Sequence, residues 1–133
     1  MKIFILIYFS LATIMFNYFQ QEKSLDQSVS DGNEVYSDFC IQCHLDSGNG
    51  IKGVFPPLNN SDYLLENIDK SIYAIKFGLK GKIVVNGIEY NGNMLNQGLE
   101  DDEIADVMNY ITNNWDNSLK EKINISRVKK IIR

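Results

Sequence analysis

The chain has 133 residues, a formal net charge of −4 and a mean hydropathy of −0.19. This length allows one domain of ordinary size together with terminal extensions. The negative net charge argues against nucleic acid as a partner. The charge is unevenly distributed, because residues 116–133 carry +4 and the rest of the chain therefore carries −8.

The N-terminus has the pattern of an export segment. Lys2 precedes an apolar run, Ile3 to Phe19, that only three polar residues interrupt. A positive start followed by an apolar stretch is typical of a signal peptide, and the run also reaches the lower limit for a membrane span. Residues 1–20 are therefore either a cleaved signal peptide, which we favour, or a retained anchor. The protein is expected outside the cytoplasm, in a bacterial periplasm.

The next segments alternate between polar stretches and short helices. Residues 21–31 are polar and are predicted to form a linker. A helix fits Asn33–Cys43, with Asp31 or Asn33 as its N-cap. Tyr36, Phe39, Cys40 and Cys43 fall at the spacing of one apolar helix face. Residues 45–58 contain three glycines and two prolines, so they are predicted to form a loop.

The middle of the chain predicts two helices and a small hairpin. Short helices fit residues 62–67 and 70–78. Two β-prone runs around Asn86-Gly87 predict a hairpin over residues 83–90, and residues 91–98 are predicted to form a second loop.

The last core helix is predicted to start near Asp101, where four consecutive acidic residues suit its positive N-terminal end. One apolar stripe follows it: Ile104, Val107, Met108, Ile111 and Trp115. The two helices with strong apolar faces need each other for burial. The loop-rich segment between them predicts a poor core unless something large and apolar fills the middle.

Residues 38–45, DFCIQCHL, contain both cysteines and the only histidine of the chain. Two thiols three positions apart on a helix can form thioethers with the two vinyl groups of a haem. The adjacent His44 is then placed to bind the iron from one face. Cys-x-x-Cys-His is the attachment signature of c-type haem.

Other interpretations of Cys40 and Cys43 compete with haem attachment. A thioredoxin-like dithiol needs a βαβ pattern that this chain lacks. A structural zinc site needs four ligands, and the segment supplies three unless a carboxylate joins. Two idle free thiols are unexpected in an exported protein. We favour haem over these alternatives.

A second iron ligand has one clear candidate among the four methionines. Met1 and Met15 belong to the export segment, and Met108 belongs to the apolar stripe of the last helix. Met94 lies in a glycine-containing loop that can present a side chain to a ligand. Given a haem, Met94 is the favoured ligand. The alternative is a surface methionine without a role.

Residues 32–115 resemble a class I c-type cytochrome, a small monohaem bacterial cytochrome c. The resemblance lies in GNEVYSDFCIQCHLDSGNGIKGVFPPLNNSDYL, in GKIVVNGIEYNGNML and in LEDDEIADVMNYITNNW. It implies a mainly α fold of three to five short helices around one covalently bound haem, with a small β-hairpin. By this resemblance residues 32–115 form the cytochrome domain, and residues 116–133 are a basic tail outside it.

The resemblance also implies roles for individual residues. Cys40 and Cys43 would carry the haem c, and His44 and Met94 would bind its iron. The carbonyl of Pro56 would accept a hydrogen bond from the ring of His44. Three further residues are implied in packing: Leu58 and Tyr90 would line the haem pocket, and Gly32 would let the first helix cross the last one closely.

One departure from the family is visible, because Leu95 follows Met94 where the family usually has proline. The leading hypothesis is a one-electron carrier, not an enzyme, that serves a respiratory oxidase, dehydrogenase or nitrite reductase. If Met94 does not bind, the alternative is a five-coordinate haem sensor or weak peroxidase. Without haem, the chain would be a thiol-disulfide protein.

The charge distribution suggests how the protein meets its partners. The acidic body predicts a redox partner with a basic docking patch, and the protein is expected to be a monomer or a subunit of a redox complex. Membrane association is predicted through residues 3–19 or through the tail. In the tail, Ile125, Val128, Ile131 and Ile132 would lie opposite Arg127, Lys129, Lys130 and Arg133. A self-docked end is the alternative.

Overall fold

The computed structural model describes residues 7–13, 15 and 23–133. Residues 7–13 are helical, and the labelled elements begin after them. They are α1 (Leu25–Phe39), α2 (Ile41–His44), α3 (Asp62–Glu66), α4 (Ile68–Phe77), β1 (Leu79–Val85), β2 (Ile88–Met94), α5 (Asp101–Asn113) and α6 (Ile125–Lys130). The expected mainly α fold with one small hairpin is confirmed, and the tail adds α6 to it.

Helix α1 starts eight residues before the predicted position. Ser24 caps it, since its hydroxyl accepts a hydrogen bond from the backbone N–H of Gln27 at 3.1 Å. The prediction of a linker was therefore wrong for residues 25–31. In the first half of α1 the buried residues are small, Ser28 and Gly32. Because neither is a large apolar residue, the apolar pattern of the sequence does not indicate a helix there.

Helices α1 and α5 cross at Gly32. A Cβ atom on Gly32 would lie 2.0 Å from the carbonyl oxygen of Asp106, so only glycine fits there. The predicted close crossing is confirmed. Tyr36, one turn further along α1, packs its ring against Tyr110 and Trp115 at centroid distances of 5.3 and 5.4 Å. These ring contacts join α1 to α5 and to the segment that follows α5.

The hydrophobic core lies between α4, α5 and the elements that cover them. Its fully buried side chains include Ile72, Ile104 and Met108. Helix α5 starts at Asp101 as predicted. The predicted stripe is correct as far as Ile111, but Trp115 follows the end of the helix with φ of +53°. Met108 is a core residue.

The hairpin is longer than predicted. Its turn is at Asn86-Gly87, as predicted, and both residues have positive φ. The strands extend to residues 79 and 94, so the prediction of a loop was wrong for residues 91–94. Asn91-Gly92-Asn93 has little strand propensity, and its pairing with β1 supplies the strand conformation instead.

The tail belongs to the domain. Ile123 and Val128 are both 0% exposed and are part of the hydrophobic core. The buried side chain of Asn109 accepts a hydrogen bond from the Ile123 N–H at 2.8 Å and donates one to the Ile123 carbonyl at 2.7 Å. The tail therefore packs on the hydrophobic core, and the self-docked alternative describes this segment. Of the predicted apolar side, Ile125 and Ile132 stay exposed.

The predicted export segment lies largely outside the described residues. Its fate, as a cleaved signal or an anchor, stays a prediction. In the part of the chain that the structure describes, no helix combines the length and apolar character needed to cross a bilayer.

Candidate haem site

The Cys-x-x-Cys-His segment lies where α1 gives way to α2. Cys40 ends α1 with φ of −113°, so that the single predicted helix is two helices with a break at this residue. The Cys40 carbonyl accepts hydrogen bonds from the backbone N–H groups of Cys43 and His44, at 3.2 and 3.0 Å. This short turn places all three side chains beside one another. Cys43 is exposed, whereas Cys40 and His44 point into the domain.

His44 is held in one orientation by the loop that follows it. Its side chain is buried, and Nδ1 lies 2.9 Å from the carbonyl oxygen of Pro56, the contact that the resemblance implies. With Nδ1 donating to that carbonyl, Nε2 is the nitrogen that remains for a metal. Burial lowers the pKa of the ring, which favours the neutral form that binds metals.

Gly50 brings the Pro56 carbonyl within reach of His44. Its φ is +59°, and an added Cβ would lie 2.3 Å from the Phe55 carbonyl oxygen and 2.6 Å from that of Pro56. The Gly50 N–H also donates to the His44 carbonyl at 2.9 Å. The sequence shows that this loop contains three glycines, but it does not show which of them contacts Pro56.

Two cavities adjoin this segment. The outer one has a volume of about 260 Å³ and the inner one about 80 Å³. Six residues line both: Cys40, His44, Pro56, Leu79, Ile83 and Met94. Every predicted site residue lines at least one of the two, since Cys43 and Tyr90 face the outer cavity and Leu58 faces the inner one. The structure therefore brings all seven residues to one place.

Met94 is at the end of β2, not in a free loop. It pairs with Leu79, the first residue of β1, and its side chain packs against the hydrophobic core. Tyr90 is buried on the same strand, opposite Ile83. The hairpin thus carries the predicted sulfur ligand and an aromatic wall together.

Strand β1 supplies lining residues that the sequence analysis missed. Leu79, Gly81 and Ile83 line the outer cavity, and Leu79, Ile83 and Val85 line the inner one. Alternate residues of a strand face the same side, so this period of two was a usable signal. Leu79 and Gly81 were missed because the predicted strand began only at residue 83.

The lining suits a large apolar ligand that carries a metal. Neither cavity has a charged residue in its lining, and both are lined by His44, which carries ring nitrogens, and by Met94, which carries a thioether sulfur. Nitrogen and thioether sulfur are the donors that hold haem iron in cytochromes c. The residues present therefore fit a haem.

The zinc and dithiol alternatives find no support in this geometry. Within residues 7–13, 15 and 23–133, no group of three or more His, Cys, Asp or Glu side chains is placed to hold a metal ion. Burial, with Cys43 nearby, raises the pKa of the Cys40 thiol to about 11. A reactive dithiol needs a pKa shifted the other way.

Comparisons with known proteins identify the family. The model of the family described as cytochrome c matches residues 29–115. Cytochrome c-552 of Thermus thermophilus is 38% identical over 100 residues, which are 70% of this chain and 74% of that protein. The cytochrome c subunit of a quinone alcohol dehydrogenase from Gluconobacter oxydans is 26% identical over 109 residues, 75% of this chain and 21% of that protein.

A third relative is FixP, a subunit of the cbb3-type cytochrome c oxidase of Bradyrhizobium diazoefficiens. It is 36% identical over 85 residues, which are 60% of this chain and 28% of that protein. Two of the three relatives are thus named as subunits of redox complexes. Proteins of this family carry electrons and are not enzymes. The family match and the attachment motif together show that this chain belongs to the cytochrome c family and carries one haem c, bound covalently through Cys40 and Cys43.

Proposed function

We propose that the protein is a one-electron carrier that serves an extracytoplasmic or membrane redox enzyme, and that His44 and Met94 would bind the iron of its haem. The observation that carries this proposal is that both side chains line both cavities, next to Cys40. An electron carrier would need both of its further iron ligands to come from the protein, because an open coordination position would bind small molecules.

Each ligand has a distinct task in this proposal. Bound haem c supplies an Fe(III)/Fe(II) couple that takes up and releases one electron. The Pro56 carbonyl orients the His44 ring and raises its basicity through the hydrogen bond at Nδ1. The Met94 thioether favours the ferrous state and so raises the reduction potential. Pro56, Leu58 and Tyr90 serve as lining residues that keep water from the iron.

Electrons are exchanged at the opening of the outer cavity. Phe39, Val54 and Leu95 line this cavity and are 44%, 55% and 65% exposed, and Cys43 beside them is exposed as well. The opening is uncharged, so close contact with a partner is apolar there. The acidic body acts at longer range and favours a partner with a basic docking patch, which makes association weaker at high salt.

The partner is an oxidase, a dehydrogenase or a nitrite reductase outside the cytoplasm. Support comes from the relatives named as subunits of a dehydrogenase and an oxidase, and from the export-type sequence of residues 1–20. The protein acts as a monomer or as a subunit of such a complex. Membrane association would be through residues 3–19 or the exposed residues of the basic tail.

Methionine substitutions test the ligand assignment. The protein is produced in a host that matures c-type cytochromes, and covalent haem is verified by intact mass, which also reports whether the N-terminal segment is removed. Met94→Leu is expected to make the ferrous protein bind carbon monoxide and to lower the reduction potential. Met108→Leu is the matched control, because Met108 is a buried core residue that lines neither cavity, and it is expected to change neither property.

Two outcomes would overturn the assignment. Identical spectra and potentials for Met94→Leu and the unaltered protein would remove Met94 as a ligand. Carbon monoxide binding by the unaltered protein would instead support the alternative, a five-coordinate sensor or weak peroxidase. The presence of Leu95 where the resemblance would place proline is the reason for that alternative.

A further inference from the structure

Met94 is followed by Leu95, which is not a proline and so does not restrict the backbone of Met94. A proline would confine the preceding residue to extended backbone. Met94 already has that backbone conformation, because it is the last residue of β2 and pairs with Leu79. The pairing therefore imposes on Met94 the restriction that proline would otherwise supply.

Gly78 determines how closely the segment after Met94 packs on the rest of the domain. It ends α4 with φ of +85° and ψ of 166°, a backbone conformation that suits glycine. A Cβ atom there would lie 2.8 Å from the Met94 carbonyl oxygen and 3.2 Å from the Asn96 backbone nitrogen. Residues 94–96 thus lie directly against a position that has room for no side chain.

The turn that follows is held by its own side chains. The Gln97 amide donates to the Leu95 carbonyl at 2.7 Å, and the Asn96 side chain accepts from the Gly98 N–H at 2.7 Å. The side chain of Leu95 itself is 65% exposed. Leu95 therefore contributes little packing, and the position of Met94 depends on Leu79 and Gly78.

We propose that Gly78 is a positioning residue for Met94: together with the Leu79 pairing it holds Met94 at the cavities, where its sulfur would bind the iron, without a following proline. This inference rests on the proposed ligand role of Met94. It assigns a role to a residue that lines neither cavity and that carries no donor atom in its side chain.

The test compares Gly78→Ala with Gly87→Ala in the haem-loaded protein. Both glycines have positive φ, +85° and +75°, but an added Cβ at Gly87 meets no atom within 4 Å. The control therefore carries the backbone strain without the contact. Two readouts are used: the far-red absorption band of methionine-bound ferric haem, and the apparent affinity of the ferric haem for imidazole, which binds only when Met94 is detached.

Gly78→Ala is expected to weaken or abolish the band and to raise imidazole affinity about tenfold or more, in proportion to the detached fraction. Gly87→Ala is expected to leave both unchanged. A merely structural role would lower the urea midpoint of both variants without moving the two readouts. Equal readouts in the two variants would overturn the proposal.

Asn96→Ala gives a second, independent arm that does not depend on the folding of Gly78→Ala. It removes the side chain that accepts a hydrogen bond from the Gly98 N–H and lines neither cavity, so it is expected to leave the band and imidazole affinity unchanged if the pairing and Gly78 hold the methionine. A clear rise in imidazole affinity for Asn96→Ala would overturn the proposal. If Met94→Leu also leaves the band unchanged, the ligand assignment fails instead, so the two failures are distinguishable.

Discussion

The docking of the tail makes a quantitative prediction about stability. Ile123 lies eight residues beyond the segment that matches the cytochrome c family, yet it is 0% exposed and part of the hydrophobic core. Its backbone is held by both hydrogen bonds to the Asn109 side chain. Ile123→Ala therefore removes apolar volume from the core without touching the haem site.

The expected cost follows from the atoms removed. The substitution deletes three buried carbon atoms, worth about 2.4 kcal/mol at roughly 0.8 kcal/mol each. The cavity left behind adds to this, and such truncations in cores cost about 2–5 kcal/mol in total. We expect the free energy of unfolding to fall by about 3–4 kcal/mol.

Urea unfolding of the haem-loaded protein, followed by circular dichroism and by the fluorescence of the single Trp115, measures this change. Ile132→Ala is the matched control, because Ile132 is in the same tail but 76% exposed. It is expected to change the free energy of unfolding by less than about 0.5 kcal/mol. Equal losses in the two variants would show that the tail does not pack against the core, and the reasoning would be refuted.

Two further predictions concern the helix crossing and the buried tyrosines. Gly32→Ala is expected to lower the free energy of unfolding in urea by more than about 2 kcal/mol, because the added Cβ overlaps the Asp106 carbonyl and forces α1 away from α5. Asn33→Ala, at an exposed position of the same helix, is the control. A loss for Gly32→Ala as small as that for Asn33→Ala would contradict the close crossing of the two helices. Burial raises the pKa of Tyr36, and also that of Tyr63 and Tyr110, above the ordinary value of 10.0. At pH values below 10.0 these tyrosines do not change the free energy of unfolding. As the pH rises above 10.0 they lower it, because the tyrosines of the unfolded chain release their protons first. Unfolding midpoints measured across that range should fall less steeply for Tyr36→Phe, and parallel curves would exclude this origin.

Much of the candidate site could be predicted because its signals are local. Cys40, Cys43 and His44 lie within five positions, and one short turn places them together. The start of α5 could also be predicted from neighbouring residues. In the first turn of this helix, the Glu103 side chain accepts a hydrogen bond from the Glu100 N–H. In each case the deciding contacts join residues that are close in sequence.

The errors share a different cause. The first turns of α1 looked like a polar linker because Ser28 and Gly32 bury no apolar side chain. Their helical state depends on α5, where the Ser28 hydroxyl donates to Asp106 at 2.5 Å and accepts from Asn109 at 2.9 Å. The tail was set outside the domain for a similar reason, since the groups that hold Ile123 lie fourteen residues earlier in the chain.

The sequence by itself thus indicated the haem attachment residues through the spacing of one motif. It indicated the candidate iron ligands and the fold class through the family resemblance, whose signals lie in short runs of neighbouring residues. Only the tertiary structure decided where α1 begins, that the tail completes the core, and that Leu79 and Gly78 lie against Met94. Those features depend on segments that are distant in the chain and come into contact only after folding. The polar and glycine residues in these segments stabilise the fold only through those contacts.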